Sequence, residues 1–236
     1  MAALEAIEMS TGPEPAATIV ILHGLGADGN DFVPVVQALD LAAVGPVRFL
    51  LPHAPVIPVT INNGYRMRAW YDILGMELVR REDEPGLRRS RDDIEALLAR
   101  ERERGMPAGR IVLAGFSQGC AMALLTGLRH GQRLAGIAGL SGYLPLARHT
   151  AHERSDANAL MPIFMGHGQQ DEVVAIERGR ASRDLLQQQG YAVEWHEYPM
   201  GHSVSLDEIA DLNRWLLDVL ALSRSRGAIS RAPDSP

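Results

Sequence analysis

The sequence predicts an α/β protein in which helices cover both faces of a mostly parallel sheet. Short apolar runs suited to buried strands alternate with segments of helical spacing from one end of the chain to the other. The 236 residues show no internal repeat and no interdomain linker, and this length suits one α/β domain. The connector between the apolar runs at 134–140 and 162–166 is short, which leaves little room for a large cap domain.

Most predicted strands are continuous apolar runs, as expected for strands buried on both faces of a parallel sheet. They span residues 18–22, 47–51, 110–114, 134–140, 162–166 and 191–198, of which the last alternates like a strand nearer the edge. The predicted helices span residues 31–43, 86–105, 120–128, 173–189 and 205–220. Residues 52–72 carry Pro, Asn and Gly and are predicted as a long irregular loop, which in a compact domain is usually functional or disordered.

These elements define a domain over residues 18–222, preceded by an N-terminal segment at 1–17. Residues 223–236 are rich in Ser, Arg, Gly and Pro and are predicted to be a disordered tail. No signal peptide or membrane-spanning stretch is evident, so we expect a cytoplasmic protein.

Composition narrows the classes of partner. The net charge of −6 argues against nucleic acid, and all 23 basic residues are arginine. Cys120 is the only cysteine, which excludes an internal disulfide and metal binding by paired cysteines. We expect no metal and no cofactor, and a homodimer is left open.

The segment Gly-Phe-Ser-Gln-Gly at 115–119 is the most informative motif. It joins the predicted strand at 110–114 to the predicted helix at 120–128. Gly-x-Ser-x-Gly between a strand and a helix is typical of the nucleophile elbow of α/β hydrolases, and we therefore predict an α/β-hydrolase fold. Glycines flank the serine because the turn is sharp, and Ser117 would lie at a helix N-terminus, where negative charge is favoured. The competing interpretation is a plain glycine-rich turn.

A serine hydroxyl needs a base, and in this fold the chain order is Ser, then Asp or Glu, then His. Asp171 follows the predicted strand at 162–166, and His202 lies in the loop between the last strand and the last helix. We therefore predict His202 as the base of Ser117 and Asp171 as the acid that orients it, with Glu172 as the nearest rival acid. The histidines that fit this order less well are His23, His53, His130, His149, His152, His167 and His196.

An oxyanion site needs two N–H donors, for which we predict the backbone of Leu25 and Gln118. Gln118 follows the nucleophile, and Leu25 lies in a glycine-rich loop after an early strand. Gly24-x-Gly26-x-x-Gly29 also matches a dinucleotide-binding fingerprint literally. The acidic residue which that fingerprint requires about twenty residues later is absent, because a predicted strand occupies that region.

Together these motifs resemble the small carboxylesterases that include acyl-protein thioesterases and lysophospholipases, the phospholipase/carboxylesterase family. The resemblance runs in order over about residues 18–220. The matching segments are residues 22–26, 51–55, 58–62, 67–72, 115–119, 167–171 and 201–204. One departure is Cys120, where the family often has glycine; it adds one small side chain beside the elbow and is not expected to disturb the three site residues.

The resemblance implies a Ser–Asp–His hydrolase of carboxylic esters or thioesters, with Trp70 beside the acyl pocket. Ile61 and Met67 lie in the same loop as Trp70 and would complete an apolar wall. Without a large cap the site should be open and should favour short-to-medium acyl chains of a small ester substrate. The alternatives are an acyl-protein thioesterase or a lysophospholipase, and, from another class, a non-catalytic small-molecule receptor on the same fold.

Overall fold

The computed structural model describes residues 4–75 and 82–229. Within this part of the chain, seven strands form one sheet and two further strands form a separate hairpin. The strands are β1 (Ala6–Ser10), β2 (Ala17–Leu22), β3 (Val47–Pro52), β4 (Val56–Val59), β5 (Tyr65–Arg68), β6 (Ile111–Phe116), β7 (Gly136–Leu140), β8 (Ile163–Gly168) and β9 (Val193–Tyr198). The helices are α1 (Val33–Ala38), α2 (Glu84–Glu103), α3 (Gln118–Arg129), α4 (Ala147–Glu153), α5 (Ile176–Gln188) and α6 (Leu206–Ile229).

The strand order in the large sheet is β1-β3-β2-β6-β7-β8-β9. All neighbours pair in parallel except β1, which is antiparallel to β3. This confirms the predicted α/β-hydrolase fold with a mostly parallel sheet. Because parallel strands end at the same edge, the loops after β2, β6, β8 and β9 are brought together there.

Helices cover both faces of the sheet, as strand β6 illustrates. Ile111 and Leu113 pack in a core cluster with buried residues of α2, α3 and α5, whereas Val112 and Ala114 pack in a second cluster with α1 and α6. Each fully buried aliphatic side chain contributes about 1.5–3 kcal/mol to the hydrophobic stabilisation. Two such layers explain why the strands read as continuous apolar runs.

The N-terminal segment contains a strand that was not predicted. Residues 6–10 pair with β3 in the register Ala6↔Pro52 to Ser10↔Arg48. The strand is only partly buried, so its sequence lacks the apolar run that marks the other strands. The large sheet therefore begins within the segment predicted to precede the domain.

Residues 52–72 differ from the predicted irregular loop. Strands β4 and β5 pair in antiparallel fashion and form a hairpin over residues 56–68. At its tip Asn63 has φ 53° and Gly64 has φ 75°, and the N–H of Gly64 donates to the carbonyl of Val59 at 2.9 Å. Asn-Gly is a strong hairpin signal, because both residue types tolerate positive φ.

The helix predicted over 31–43 is shorter and interrupted. A 3₁₀ turn at Gly29–Phe32 leads into α1, and a second 3₁₀ turn follows at Ala42–Val44. Leu39 is extended, with ψ 132°, and the N–H of Asp40 donates to Asn213 of α6 at 2.8 Å. This bond to a distant helix replaces the intrahelical bond that a longer α1 would make.

The two remaining differences concern segments outside the sheet. Helix α6 continues past the predicted boundary at 222 to Ile229, and residues 230–236 of the predicted tail lie outside the described residues. The connector between β7 and β8 holds α4 and a 3₁₀ turn at Asp156–Asn158, and no large cap is present in the described part of the chain. None of the helices there is long and apolar enough to span a bilayer.

Candidate active site

Ser117 occupies the sharp turn between β6 and α3. Its φ of 57° costs a non-glycine residue about 1–3 kcal/mol, so the surrounding structure must hold it in place. Both flanking glycines are required, because a Cβ at Gly115 would overlap the carbonyl oxygen of Gly119 and a Cβ at Gly119 would overlap that of Leu22. The turn leaves Ser117 at the N-terminus of α3, where backbone N–H groups lack intrahelical acceptors.

The structure brings Ser117, His202 and Asp171 into one hydrogen-bonded chain. Nε2 of His202 lies 2.9 Å from Oγ of Ser117, and Nδ1 of His202 lies 2.7 Å from Oδ2 of Asp171. A carboxylate can only accept, so Nδ1 carries the proton and Nε2 is left to accept from the serine hydroxyl. The His202 side chain is 16% exposed, while that of Asp171 is fully buried.

The buried carboxylate of Asp171 is satisfied by the loop that carries it. The backbone N–H groups of Val173 and Val174 donate to Oδ1 at 2.9 and 2.8 Å, which leaves Oδ2 for His202. The rival acid Glu172 is exposed to solvent. Only Asp171 of the two is therefore placed against the histidine, and its orientation is set by backbone donors. We call residues 168–175 the acid loop.

His167, at the end of β8, braces the acid loop. It is fully buried, its Nε2 donates to the carbonyl of Val174 at 2.8 Å, and the same nitrogen lies 3.4 Å from Oδ2 of Asp171. Burial lowers the pKa of His167, which keeps the ring neutral. The ring packs against α5 at Gly179, where a Cβ would lie 2.5 Å from Nδ1.

The two predicted oxyanion donors lie beside Ser117. We call residues 23–29 the donor loop. A Cβ built on Gly24 would lie 3.4 Å from Cβ of Ser117, so this loop lies directly against the serine. The N–H of Leu25 donates to no atom of the described residues, and Gln118 is the first residue of α3, where the N–H has no intrahelical acceptor. The N–H groups of Leu25 and Gln118 thus lack an acceptor among the described residues, and each belongs to a segment that adjoins Ser117.

The glycines of the donor loop have packing roles that explain their literal match to a dinucleotide fingerprint. A Cβ at Gly29 would overlap the carbonyl oxygen of Leu51 in β3. Gly26 has φ 75°, and its N–H donates to the carbonyl of Arg68 at 2.8 Å. The loop then enters a 3₁₀ turn rather than the long helix that would hold a pyrophosphate.

Trp70, which the family resemblance places beside the acyl pocket, is buried and hydrogen-bonded next to the donor loop. It is 1% exposed, its ring nitrogen donates to the carbonyl of His23 at 2.9 Å, and its backbone N–H donates to Oε1 of Gln118 at 3.0 Å. The side chain therefore packs beneath the donor loop. A direct contact between Trp70 and an acyl chain stays a prediction.

Ile61 and Met67 belong to the hairpin, which lies against the donor loop. Both are partly exposed, Sδ of Met67 would be 3.6 Å from a Cβ on Gly26, and it accepts from the side-chain amide of Asn62 at 3.4 Å. These apolar side chains are near the predicted oxyanion donors. Their contact with substrate also stays a prediction.

Two buried titratable groups lie in the core near the site. Cys120 is fully buried in the first turn of α3, and burial raises the pKa of its thiol. Glu208 of α6 is fully buried against Gly166 of β8, and neither of its carboxyl oxygens is hydrogen-bonded to a described residue. Burial raises the pKa of Glu208 to about 8, and the nearby carboxylate of Asp211 acts in the same direction. No sequence pattern had pointed to Glu208 as a second buried carboxyl near the site.

Curated relatives match most of the chain. It is 38% identical over 205 residues to acyl-protein thioesterase 1 of Yarrowia lipolytica, covering 85% of this chain and 90% of that protein. It is 42% identical over 213 residues to acyl-protein thioesterase 1 of Neurospora crassa, covering 86% and 87% of the two chains. These identities and coverages are high enough to establish membership of a common family.

Solved structures extend the likeness to the fold. Zea mays acyl-protein thioesterase 2 superposes with a TM-score of 0.79 at 29% identity, over 92% of this chain and all of that one. SOBER1 of Arabidopsis thaliana gives a TM-score of 0.82 at 29% identity, over 86% of this chain and 99% of that one. The phospholipase/carboxylesterase family model matches residues 3–220. The chain is thus a hydrolase that belongs to the phospholipase/carboxylesterase family of α/β hydrolases.

Proposed function

We propose that the chain is a serine hydrolase that cleaves acyl thioesters and carboxylic esters through an acyl-enzyme on Ser117. The observation that carries this proposal is the pair of hydrogen bonds at His202, 2.9 Å to Ser117 and 2.7 Å to Asp171. They supply the three parts that an unactivated hydroxyl needs: a nucleophile, a base in contact with it and an acid that orients the base.

In the first half-reaction Oγ of Ser117 attacks the carbonyl carbon while Nε2 of His202 takes its proton. Asp171 stabilises the imidazolium that forms, because its carboxylate accepts from Nδ1. The bond from carbon to sulfur or oxygen then breaks, and Nε2 returns the proton to the departing thiol or alcohol. The acyl group stays on Ser117 as an ester.

The oxyanion of each tetrahedral intermediate would be held by the N–H groups of Leu25 and Gln118. Gln118 directly follows Ser117 and adds the favourable field of the α3 N-terminus, and Leu25 follows Gly24, which lies against the serine. In the second half-reaction His202 takes a proton from water, which attacks the acyl-enzyme, and then returns it to Ser117. Residues of this chain thus account for every proton transfer and each developing charge.

Acyl-protein thioesters are the substrate class that the similarity to relatives favours, since both curated relatives described above carry that name. Short-to-medium carboxylic esters are the second candidate, supported by the lack of a large cap in the described residues. Each buried methylene adds at most about 0.8 kcal/mol, so preference should rise with chain length only while an apolar wall continues. Ile61 and Met67 of the hairpin are our candidates for that wall, and lysophospholipids are a further alternative.

The first test replaces the nucleophile. Ser117→Ala should lower kcat by at least about 10⁴-fold on esters and on thioesters alike, leaving only the contribution of the oxyanion donors and binding. A fluorophosphonate probe should label the unmodified protein and not the variant. Turnover near the unmodified level in a folded Ser117→Ala variant would contradict the proposal, and a failure of the unmodified protein to label would favour the receptor alternative.

The second test separates the substrate classes. Acyl thioesters of a cysteine peptide, p-nitrophenyl esters and lysophospholipids, each with graded acyl chains, would be compared by kcat/KM. We expect the peptide thioesters to be best and the dissolved short esters to be cleaved without any need for an interface. Activity confined to aggregated long-chain lipids would contradict the open-site expectation.

A further inference from the structure

All three polar atoms of Trp70 are hydrogen-bonded, and two of these bonds connect it to the two segments that border Ser117. Its backbone N–H donates to the side chain of Gln118 at 3.0 Å, and its indole N–H donates to the carbonyl of His23 at 2.9 Å. Its carbonyl accepts from the hydroxyl of Ser90 in α2. The residue is buried, so these bonds are shielded from water and cost free energy to lose.

Gln118 is held by the same segment from both ends of its amide. Its Nε2 donates to the carbonyl of Tyr71 at 2.8 Å, while its Oε1 accepts from Trp70. Two bonds to consecutive residues fix the orientation of the amide plane. The side chain of Gln118, the first residue of α3, is therefore hydrogen-bonded to residues 70 and 71. This anchoring also restrains the position of its backbone N–H.

His23 has a single tautomer that its neighbours determine. The backbone N–H of Ala54 donates to Nε2 at 3.0 Å, so Nε2 is unprotonated and Nδ1 carries the proton. Nδ1 then donates to the carbonyl of Gly24 at 2.7 Å. Burial lowers the pKa of His23, which keeps the ring neutral and both bonds intact.

The bond from His23 to Gly24 also determines where the next N–H points. The peptide unit that joins Gly24 to Leu25 is planar and trans, so its N–H is directed opposite to its C=O. Because the carbonyl of Gly24 faces the imidazole, the N–H of Leu25 faces away from it and stays unpaired among the described residues. The same carbonyl also accepts from the N–H of Ala27, at the longer distance of 3.4 Å. His23 therefore makes the shorter of the two bonds that orient this peptide unit.

We propose that Trp70 and His23 are positioning residues that aim the two oxyanion donors. Trp70 acts on Leu25 through the carbonyl of His23 and on Gln118 through its side-chain amide, and this coupling sets the spacing of the two N–H groups. The inference rests on the proposed function, since it gives Leu25 and Gln118 the oxyanion role. It assigns Trp70 to the chemical step rather than to discrimination among acyl chains.

The decisive variant is Trp70→Phe, which removes the indole N–H and keeps an aromatic ring and all backbone bonds. Deleting one oxyanion donor typically costs 10²–10³-fold in kcat, so misaiming one should cost about tenfold, with KM nearly unchanged. The loss should be the same for every acyl chain length. The affinity for an alkylboronic acid, which forms a tetrahedral adduct with the serine, should fall by a similar factor.

Trp195→Phe is the matched control. The Trp195 ring nitrogen donates to Glu197 at 2.9 Å on the edge strand β9, so this variant loses the same kind of bond away from the donors. It should keep kcat and boronic acid affinity. Thermal unfolding of both variants would show whether the loss of an indole bond alone explains any fall in activity.

The second variant pair tests His23 and decides the question if Trp70→Phe does not fold. His23→Asn can still donate to the carbonyl of Gly24 from a position close to Nδ1, whereas His23→Leu cannot. We expect Asn to retain at least about tenfold more kcat than Leu. Equal kcat in this pair, an unchanged kcat in Trp70→Phe, or an effect of Trp70→Phe on chain-length preference alone would each overturn the inference. Loss of activity in Ser117→Ala would meanwhile leave the proposed function standing.

Discussion

The donor loop and the acid loop stand at the same edge of the sheet, and a buried, neutral histidine lies at or just before the start of each, yet their backbones are bonded in opposite ways. In the donor loop the carbonyl of Gly24 accepts from His23, and the N–H of Leu25 has no acceptor among the described residues. In the acid loop the N–H groups of residues 173 and 174 donate to Oδ1 of Asp171. The other carboxylate oxygen, Oδ2, therefore accepts from His202.

The difference shows how one sheet edge can offer both donors and an acceptor to the same reaction. In the donor loop the bond from His23 leaves a donor for the proposed chemistry, and in the acid loop the bonds to Oδ1 of Asp171 leave an acceptor. The two histidines are held unequally. Both ring nitrogens of His23 are bonded, whereas Nδ1 of His167 has no hydrogen-bond partner among the described residues.

The largest expected effect on activity comes from replacing Asp171, the hydrogen-bond acceptor of the acid loop. Asp171→Asn keeps the shape of the side chain but removes the charge and can present an N–H to His202, which would favour the wrong tautomer. We expect kcat to fall by about 10⁴-fold. Glu172→Gln, at the exposed neighbouring position, should keep kcat within a factor of two or so. A severe Glu172→Gln variant beside a mild Asp171→Asn variant would show that the acid is wrongly assigned.

The next largest effect concerns the second buried carboxyl on the acid-loop side. The carboxyl group of Glu208 receives no donor from the described residues, and its pKa of about 8 in the folded protein lies above the unfolded value of 4.5. The folded state therefore binds more protons between these values, so stability conferred by protonated Glu208 is full below pH 4.5 and is lost as pH rises through 8. Relative to Glu208→Gln, the unmodified protein should lose up to about 4 kcal/mol of unfolding free energy by pH 8.

Denaturant unfolding of both proteins from pH 5 to pH 9 would measure this difference. The exposed Asp207 provides the control, because Asp207→Asn should follow the pH profile of the unmodified protein. Parallel profiles for the unmodified protein and Glu208→Gln would contradict the assignment of a destabilising buried carboxylate.

The smallest expected effect comes from substituting a glycine with positive φ in the donor loop. Gly26 and Gly64 both have φ 75°, so alanine at either position should cost about 1–2 kcal/mol of stability. Gly26 lies next to Leu25, whereas Gly64 lies at the tip of the hairpin with open space around it. We expect only Gly26→Ala to lower kcat, by about tenfold or less, when both variants are assayed well below their melting temperatures. A similar fall in Gly64→Ala would mean that the donor loop is not specifically sensitive.

Prediction from sequence succeeded where a single local pattern determines the structure. The apolar runs of β2, β3 and β6 reflect burial on both faces, and Ser117 lies in the predicted strand–helix turn because glycine alone fits beside it. It failed for β1, whose partly buried sequence resembles a loop. It also treated 52–72 as irregular although Asn63-Gly64 is a turn signal, because short strands rich in exposed residues carry little periodicity.

The placement of Trp70 could not be read from its neighbours in sequence. Its partners, His23, Gln118 and Ser90, lie in three other elements, and only the assembled sheet edge brings them together. Family resemblance assigned Trp70 to the acyl pocket, which concerns what the substrate would touch. The hydrogen bonds show which protein groups Trp70 contacts, and these contacts depend on long-range packing that no local pattern encodes.

The burial of Cys120 has a practical consequence for measuring thioester cleavage. Its Sγ fills the space that Cβ atoms would occupy on Gly139 and Gly142, and burial keeps its pKa high, so the thiolate form is scarce. A disulfide dye added to detect a released thiol product should therefore find no competing thiol on the native protein. Absorbance would then count turnovers directly, and reaction with Cys120 would appear only on unfolding.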